Sequence, residues 1–238
     1  MGFCHSAMLV NTSWIRRAQD LSIRLLKTQA MPIFILGFLS VAVSLTCENA
    51  LSQLTPESES QRWAWQLSLG LWDLFEGVMI FLILSWGIPK AHSLKSKVFH
   101  KAPFTESYLS SFFAEYLRLL AQVLLFGLLL IIPGFIRYCR LIFMPYIALF
   151  ADAYRKDEVD AKELSLDLSQ GRMRLIVSVF GLSTIVQLAL EFAPHLNTGL
   201  HAAPIRVLFI ALSFWVGIFT YSFIFLIFER ALEEHEWT

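Results

Sequence analysis

Hydrophobic and polar positions fall into long blocks along this 238-residue chain, without the strict alternation of strands. Apolar runs cover Met31–Cys47, Trp63–Ile88, Phe112–Ile136, Tyr138–Ala151, Leu175–Ala193 and Ile205–Phe228. Four of them supply the ~20 residues that a helix rising ~1.5 Å per residue needs to cross a ~30 Å hydrocarbon core. The first and fourth are shorter. The clearest run contains LLAQVLLFGLLLIIPGFI, interrupted by a single polar side chain, Gln122. Backbone groups in lipid must bond within their own segment unless a barrel closes, and a barrel would need alternating strands, so these runs are expected to be helices. The expected fold is all-α: a polytopic transmembrane bundle of about six spans over residues 31–228. A cytoplasmic or interfacial segment, 1–30, precedes it, and an acidic cytoplasmic tail, 229–238, follows.

Two polar blocks have helical periodicity of their own. In Asn11–Thr28, Trp14, Ile15, Ala18, Leu21, Leu25 and Leu26 gather along one side, with Ser22 as a polar interruption. Arg16, Asp20, Arg24 and Lys27 occupy the other side, joined by Ile23. This pattern suits a helix lying in the membrane interface, or equally a cytoplasmic extension of the first span. Asp157–Arg174 is mixed in charge, and Gly171 marks a break between a short cytoplasmic helix and the fifth span. The stretch Leu54–Gln61, with Pro56, Ser58 and Ser60, is expected to be a solvated outer turn.

Composition agrees with a membrane class. Charged residues are only 16% of the chain, against ~25% in soluble domains, and the mean hydropathy is +0.60. Formal net charge is zero, from 19 basic and 19 acidic residues, so no electrostatic footprint for nucleic acid exists. The basic residues are nevertheless unevenly placed. Six spans put fourteen on one side: Arg16, Arg17, Arg24, Lys27, Lys90, Lys95, Lys97, Lys101, Arg155, Lys156, Lys162, Arg172, Arg174 and Arg230. The other side holds four, Arg62, Arg137, Arg140 and Arg206, and Arg118 lies within the third helix. The positive-inside rule then places both termini in the cytoplasm, with the chain multi-pass in an inner (plasma) membrane. No cleavable signal peptide is expected, and Met1-Gly2-Phe3-Cys4-His5-Ser6 is read as a chance match to the myristoylation pattern.

The middle of the chain carries a resemblance. Ile132-Pro133-Gly134 is followed by Phe143-Met144-Pro145-Tyr146, and then by Ala161, Ser165, Leu168 and Gly171 spaced as Ala-x-x-x-Ser-x-x-Leu-x-x-Gly before another apolar run. Over roughly Leu128–Leu182 this resembles a broad, poorly characterised group of polytopic bacterial membrane proteins. That group includes the membrane domain attached to some glycerophosphodiester phosphodiesterases. The resemblance implies a helical integral membrane domain and no established reaction, and no fused hydrolase is expected in a chain of this length. From the residues themselves, Pro133 and Gly134 are expected to stop the third helix and turn the chain. Pro145 is expected to kink the fourth helix near its middle and free a carbonyl near Leu141. Ser165 and Gly171 are small, as close packing under the bundle requires.

Ionisable groups inside spans ask for an explanation, because each costs at least ~2.5–3.5 kcal/mol there. Asp73 and Glu76 lie halfway along Trp63–Ile88. Gln66, Gly70, Asp73 and Gly77 share a sector of about 60°, with Glu76 on its flank, a face expected to point into the bundle. Three readings stay open. The carboxylates are satisfied by Arg118 or Arg140, or are protonated and hydrogen-bonded, or bind a cation or relay protons. Glu115 and Arg118 are expected to form a local pair near the cytoplasmic end of their helix. Ser183, Gln187 and Glu191 form a stripe suited to interhelical hydrogen bonds or to a polar pathway, and Arg137 and Arg140 could grip a lipid phosphate or a carboxylate.

Other chemistry lacks a signature. His5, His92, His100, His195, His201 and His235 are dispersed, without HExxH or HxxxH, so no metal site or cofactor is expected. Cys4, Cys47 and Cys139 make no CxxC; Cys47 and Cys139 could pair on an oxidising side, but two buried thiols are expected. GxSxG, P-loop and GxGxxG motifs are absent. The expected function is a non-enzymatic accessory or envelope-maintenance protein contacting membrane lipids, other membrane proteins or a second copy of itself. Alternatives are a small proton- or cation-coupled carrier using Asp73 and Glu76, and a membrane-embedded lipid-modifying enzyme.

Overall fold

The structure, a computed structural model, describes residues 12–53, 59–91, 106–196 and 202–235. Among these the chain is helical and contains no strand. Five helical stretches are long and apolar enough to cross a membrane: Trp63–Ala91, Leu109–Gly127, Ile132–Phe150, Met173–Leu190 and Ala211–His235. A bent pair, Ser13–Thr28 with Ala30–Leu39, makes six if it counts as one span. The elements are α1 (Thr12–Thr28), α2 (Ala30–Gln53), α3 (Glu59–Ala91), α4 (Glu106–Leu129) and α5 (Ile131–Leu141), then α6 (Met144–Phe150), α7 (Asp152–Arg155), α8 (Ala161–Ser169), α9 (Met173–Leu196) and α10 (Ala202–His235). They form two compact units, one of Met1–Leu21, His92–Thr184 and Phe219–Thr238, the other of Ser22–Ala91 and Ile185–Ile218.

The first unit is built around α6. All seven of its residues are buried, which leaves no amphipathic contrast for the sequence to display. Phe143, Tyr146 and Phe150, at the i, i+3, i+7 spacing of one helix face, meet Tyr221, Phe225 and Phe228 of α10. The ring centroids are 5.3 Å apart for Tyr146 and Tyr221, 5.5 Å for Phe150 and Phe225, and 5.7 Å for Phe143 and Phe228. Leu119 of α4, Leu141 and Met144 form a buried cluster, covered by Val123, Tyr138 and Leu166. Such cores are held by close packing and dispersion, since lipid offers no hydrophobic drive between helices.

Two prolines act differently from expectation. The third helix ends at Leu129, and Leu130 is extended at φ −161°, so Pro133 and Gly134 open α5 rather than close α4. Pro133 falls in the first turn, where its missing N–H costs nothing. Gly134 is not a left-handed cap. It permits close approach instead: a Cβ there would lie 2.7 Å from the Gly127 Cα. Pro145 does not kink a continuous helix either. The chain leaves the helix at Ile142–Phe143 and restarts, with Pro145 in the first turn of α6. A freed carbonyl does find another partner, one residue before the expected place: the Ser165 hydroxyl donates to the Arg140 carbonyl at 3.0 Å.

That bond joins two residues that were expected to lie far apart. Arg140 was expected on the outer side and Ser165 on the cytoplasmic side, yet the two are in contact. The 11-residue α5 rises only about 16 Å, so the expected fourth span is made by α5 and α6 together, interrupted at Ile142–Phe143. Ala161, Ser165 and Leu168 are buried, so α8 packs against α5 and α6 rather than lying loose in solvent. Gly171 adopts φ +79° and separates α8 from α9, as expected. At the acidic end, α10 continues to His235, with Ala231 and Leu232 buried.

In the second unit, α2 packs on α3. The chain bends by 84° between α1 and α2. Pro32 in the first turn of α2 lacks the N–H that would continue α1, and the Thr28 hydroxyl bonds back to the Arg24 carbonyl at 3.0 Å. The expected apolar side of α1 is the inward side: Ala18, Leu21, Ser22 and Leu25 are buried, although Ile15 is exposed. Leu25 and Gln29 lie so near Gly87 that a Cβ there would come within 2.9 Å of either side chain. Large apolar side chains remain exposed on several helices, among them Phe34, Leu67, Leu124 and Leu182. Water would penalise such faces, whereas hydrocarbon does not.

Candidate functional site

Polar side chains within the first unit converge where α4, α7 and α8 meet. Glu115 and Arg118 stand one helical turn apart on α4, and their pairing is observed, with Arg118 Nη1 3.5 Å from Glu115 Oε2. Two further groups, distant in sequence, complete the network. The Tyr154 hydroxyl of α7 donates to Glu115 Oε1 at 3.1 Å. Arg118 Nη1 faces both oxygens of Asp160, at 3.2 and 3.0 Å, in a bifurcated contact. Asp160 is also the N-cap of α8, accepting from the Lys162 backbone N–H at 2.7 Å.

Burial divides this network into an inner and an outer half. The Glu115 side chain is 10% exposed, while Arg118 and Asp160 are 39% and 41% exposed. Glu115 Oε2 is buried without a hydrogen bond, its Arg118 neighbour being close enough for attraction but poorly aligned. Burial, followed by the neighbouring Glu115 carboxylate, pushes the Tyr154 phenol up to about 12. Partial burial works against ionisation of Asp160, but the Arg118 hydrogen bond and charge and the α8 backbone N–H groups outweigh it and lower its pKa. The arrangement can hold a buried carboxylate in one orientation and tie three helices together.

The other sequence candidates separate from this network. Within its own unit Arg118 is engaged by Asp160 and Glu115. Arg140 is exposed, and its backbone rather than its guanidinium makes the contact that matters. Gln66, Gly70 and Gly77 of α3 are exposed. Glu76 is half-buried, while the side chains of Asp73 and Glu191 fall outside the described residues. Ser183 makes an interhelical hydrogen bond, its hydroxyl accepting from the buried Thr220 hydroxyl at 2.8 Å. Gln187 lies beside Gly217 of α10, 3.9 Å from where a Cβ would stand. Arg137 donates to Gln122 at 2.9 Å and lies over the Phe126 ring at 5.3 Å, which turns it toward α4.

Cys139 is a buried free thiol, while Cys4 and the Cys47 side chain lie outside the described residues. So do the side chains of all the histidines except His235. Among the described residues no group of three or more His, Cys, Asp or Glu side chains is placed to hold a metal ion.

Sequence reasoning missed Tyr154 and Asp160 as members of the network. One signal pointed to Asp160: it stands three residues before Glu163, a spacing common at helix starts. No family model, curated protein or solved structure matches this chain.

Proposed function

We propose that this chain is a multi-pass protein of an inner membrane, with both termini cytoplasmic. In this reading it acts as a non-enzymatic accessory or envelope-maintenance component through helix and lipid contacts. The observation that supports the reading best is the closure of the Glu115, Arg118, Tyr154 and Asp160 network on itself. Its charges are consumed in holding α4, α7 and α8 together. The uneven placement of basic residues along the sequence supports the orientation.

The test has two arms. Membrane-impermeant labelling of single cysteines at Lys95 and Arg155 should find both on the cytoplasmic face. Vesicles carrying the purified chain should show no more proton or cation flux than empty vesicles, while cells lacking it should leak or become sensitive to detergent. Flux above background with intact envelopes would overturn the accessory role. A carrier is the second reading, favoured by the exposed Gln66, Gly70 and Gly77 face beside Glu76. Its flux should then vanish in Asp73→Asn and Glu76→Gln.

A further inference from the structure

Where α10 leaves its apolar stretch, the first unit holds a cavity of about 360 Å³. Trp14 and Arg17 of α1 line it, facing Leu226, Glu229, Arg230, Glu233 and Glu234 of α10. The boundary is sharp in sequence. Leu226, Ile227 and Phe228 are buried and apolar, and the next turns carry four carboxylates and Arg230 among Glu229–Glu236. An indole at such a boundary is the usual marker of the headgroup level of a membrane.

Several of the charged groups are held in place. The Arg230 guanidinium lies over the Trp14 ring at 5.4 Å, and its Nε donates to Glu234 at 2.6 Å. Glu234 is shared with Arg172 of the loop before α9, which keeps it fixed between two guanidiniums. Trp14 is itself seated on Phe223, with ring centroids 6.3 Å apart. Counting Arg172, three guanidiniums face three carboxylates. An ion of one sign would meet as much repulsion as attraction here. A ligand with a separated positive and negative end meets complementary groups at both.

We propose that this cavity binds the phosphoethanolamine headgroup of a zwitterionic phospholipid, with its phosphate toward Arg17 and Arg230 and its ammonium toward Glu229 and Glu233. Guanidinium suits phosphate because its N–H fork matches two oxygens. A primary ammonium brings three N–H donors, and each carboxylate oxygen can accept more than one, so existing partners of the glutamates do not exclude it. A trimethylated ammonium has no N–H to give. A glycerol headgroup has no cation. The acyl chains would leave the cavity on the side of Leu226, which lines it. This inference rests on the membrane reading above and extends it from general lipid contact to one headgroup chemistry.

The test uses the full chain in detergent micelles, titrated with short-chain phosphatidylethanolamine, phosphatidylcholine or phosphatidylglycerol and read by native mass spectrometry. The ethanolamine lipid should be retained about tenfold better than either competitor, the discrimination that one charge-assisted hydrogen bond supplies. Glu233→Gln should lower ethanolamine binding and leave phosphatidylglycerol binding unchanged or raised, whereas a folding defect would lower all three. Arg17→Gln should weaken all phosphate headgroups alike. Equal retention of the three lipids by the unaltered chain overturns the proposal, whatever the variants do. Competition by free glycerophosphoethanolamine as strong as that of the lipid would overturn the membrane source of the ligand. A chain that is not embedded at all ends both this inference and the membrane reading, while an embedded chain without headgroup selectivity ends only this one.

Discussion

Removing the Tyr154 hydroxyl isolates the inner half of the polar network. In Tyr154→Phe the Glu115 carboxylate keeps its burial and loses its hydrogen bond to Oε1, while Oε2 already has none. A hydrogen bond to a charged group contributes ~1.5–3 kcal/mol. The 3.1 Å separation is longer than the strongest O–H···O⁻ bonds, so the lower end applies, ~1.5 kcal/mol or about tenfold in the unfolding equilibrium. The outer pair contributes less, because Arg118 and Asp160 are each about 40% exposed and such pairs contribute ~0.2–1 kcal/mol. Breaking the inner contact should therefore cost more than Asp160→Asn does. Dodecyl-sulfate unfolding in mixed micelles, followed by helical circular dichroism, measures both. The decisive comparison is Tyr154→Phe in a Glu115→Leu background, where the buried charge is gone and the hydroxyl has nothing to satisfy. There the cost should fall to ~0.5 kcal/mol or less, giving a coupling of about 1 kcal/mol. Equal costs in the two backgrounds would refute the assignment of Tyr154 as the support of Glu115.

Other consequences follow from single contacts. Gly134→Ala should destabilise the chain by ~1–3 kcal/mol, because its Cβ would meet the Gly127 backbone. Gly127→Ala should be neutral or stabilising, since nothing stands within 4 Å of its Cβ position; the same unfolding assay reads both. Ser165→Ala should cost ~1–3 kcal/mol by orphaning the Arg140 carbonyl. Gly171→Ala should cost ~1–2 kcal/mol, because φ +79° is strained for any side chain. The Asp160 pKa is lowered from its ordinary 3.8. Its contribution is thus fully present above that value and lost as pH falls through the lower folded value. An acid titration of stability should show this loss in the parent chain and not in Asp160→Asn.

The helices were legible because lipid imposes one rule, long apolar runs, and the sequence obeys it. Their partners were not. In α6 every side chain is buried, and α10 is apolar on all sides along Phe223–Phe228, so periodicity carries no instruction about which face meets which. The aromatic spacing of Phe143, Tyr146 and Phe150 was present in the sequence, yet a lipid-facing helix could show the same spacing. The prolines misled for a related reason. Proline fixes where a helix cannot continue, but the same residue is compatible with closing one helix or opening the next, and only the extended Leu130 and the Gly127–Gly134 contact decide. α1 was the easier case, because charge on its outer side marked the inner one.

The candidate site divides along the same line. Glu115 and Arg118 were readable as a pair, since one helical turn separates them. Tyr154 and Asp160 lie 39 and 42 residues from their partners, and no local pattern links such positions. Their placement nevertheless explains why the segment after α6 departs from an ordinary loop. A buried carboxylate at Glu115 has to be met by donors, and the backbone of α4 cannot supply them because its N–H groups are committed within the helix. The chain that leaves α6 must therefore return a hydroxyl through α7. The N-cap of α8 must then stand close enough for Asp160 to hold the guanidinium that faces Glu115. Charge placed inside α4 thus dictates where α7 and α8 dock, which in turn seats Ser165 under the break that Pro145 opens.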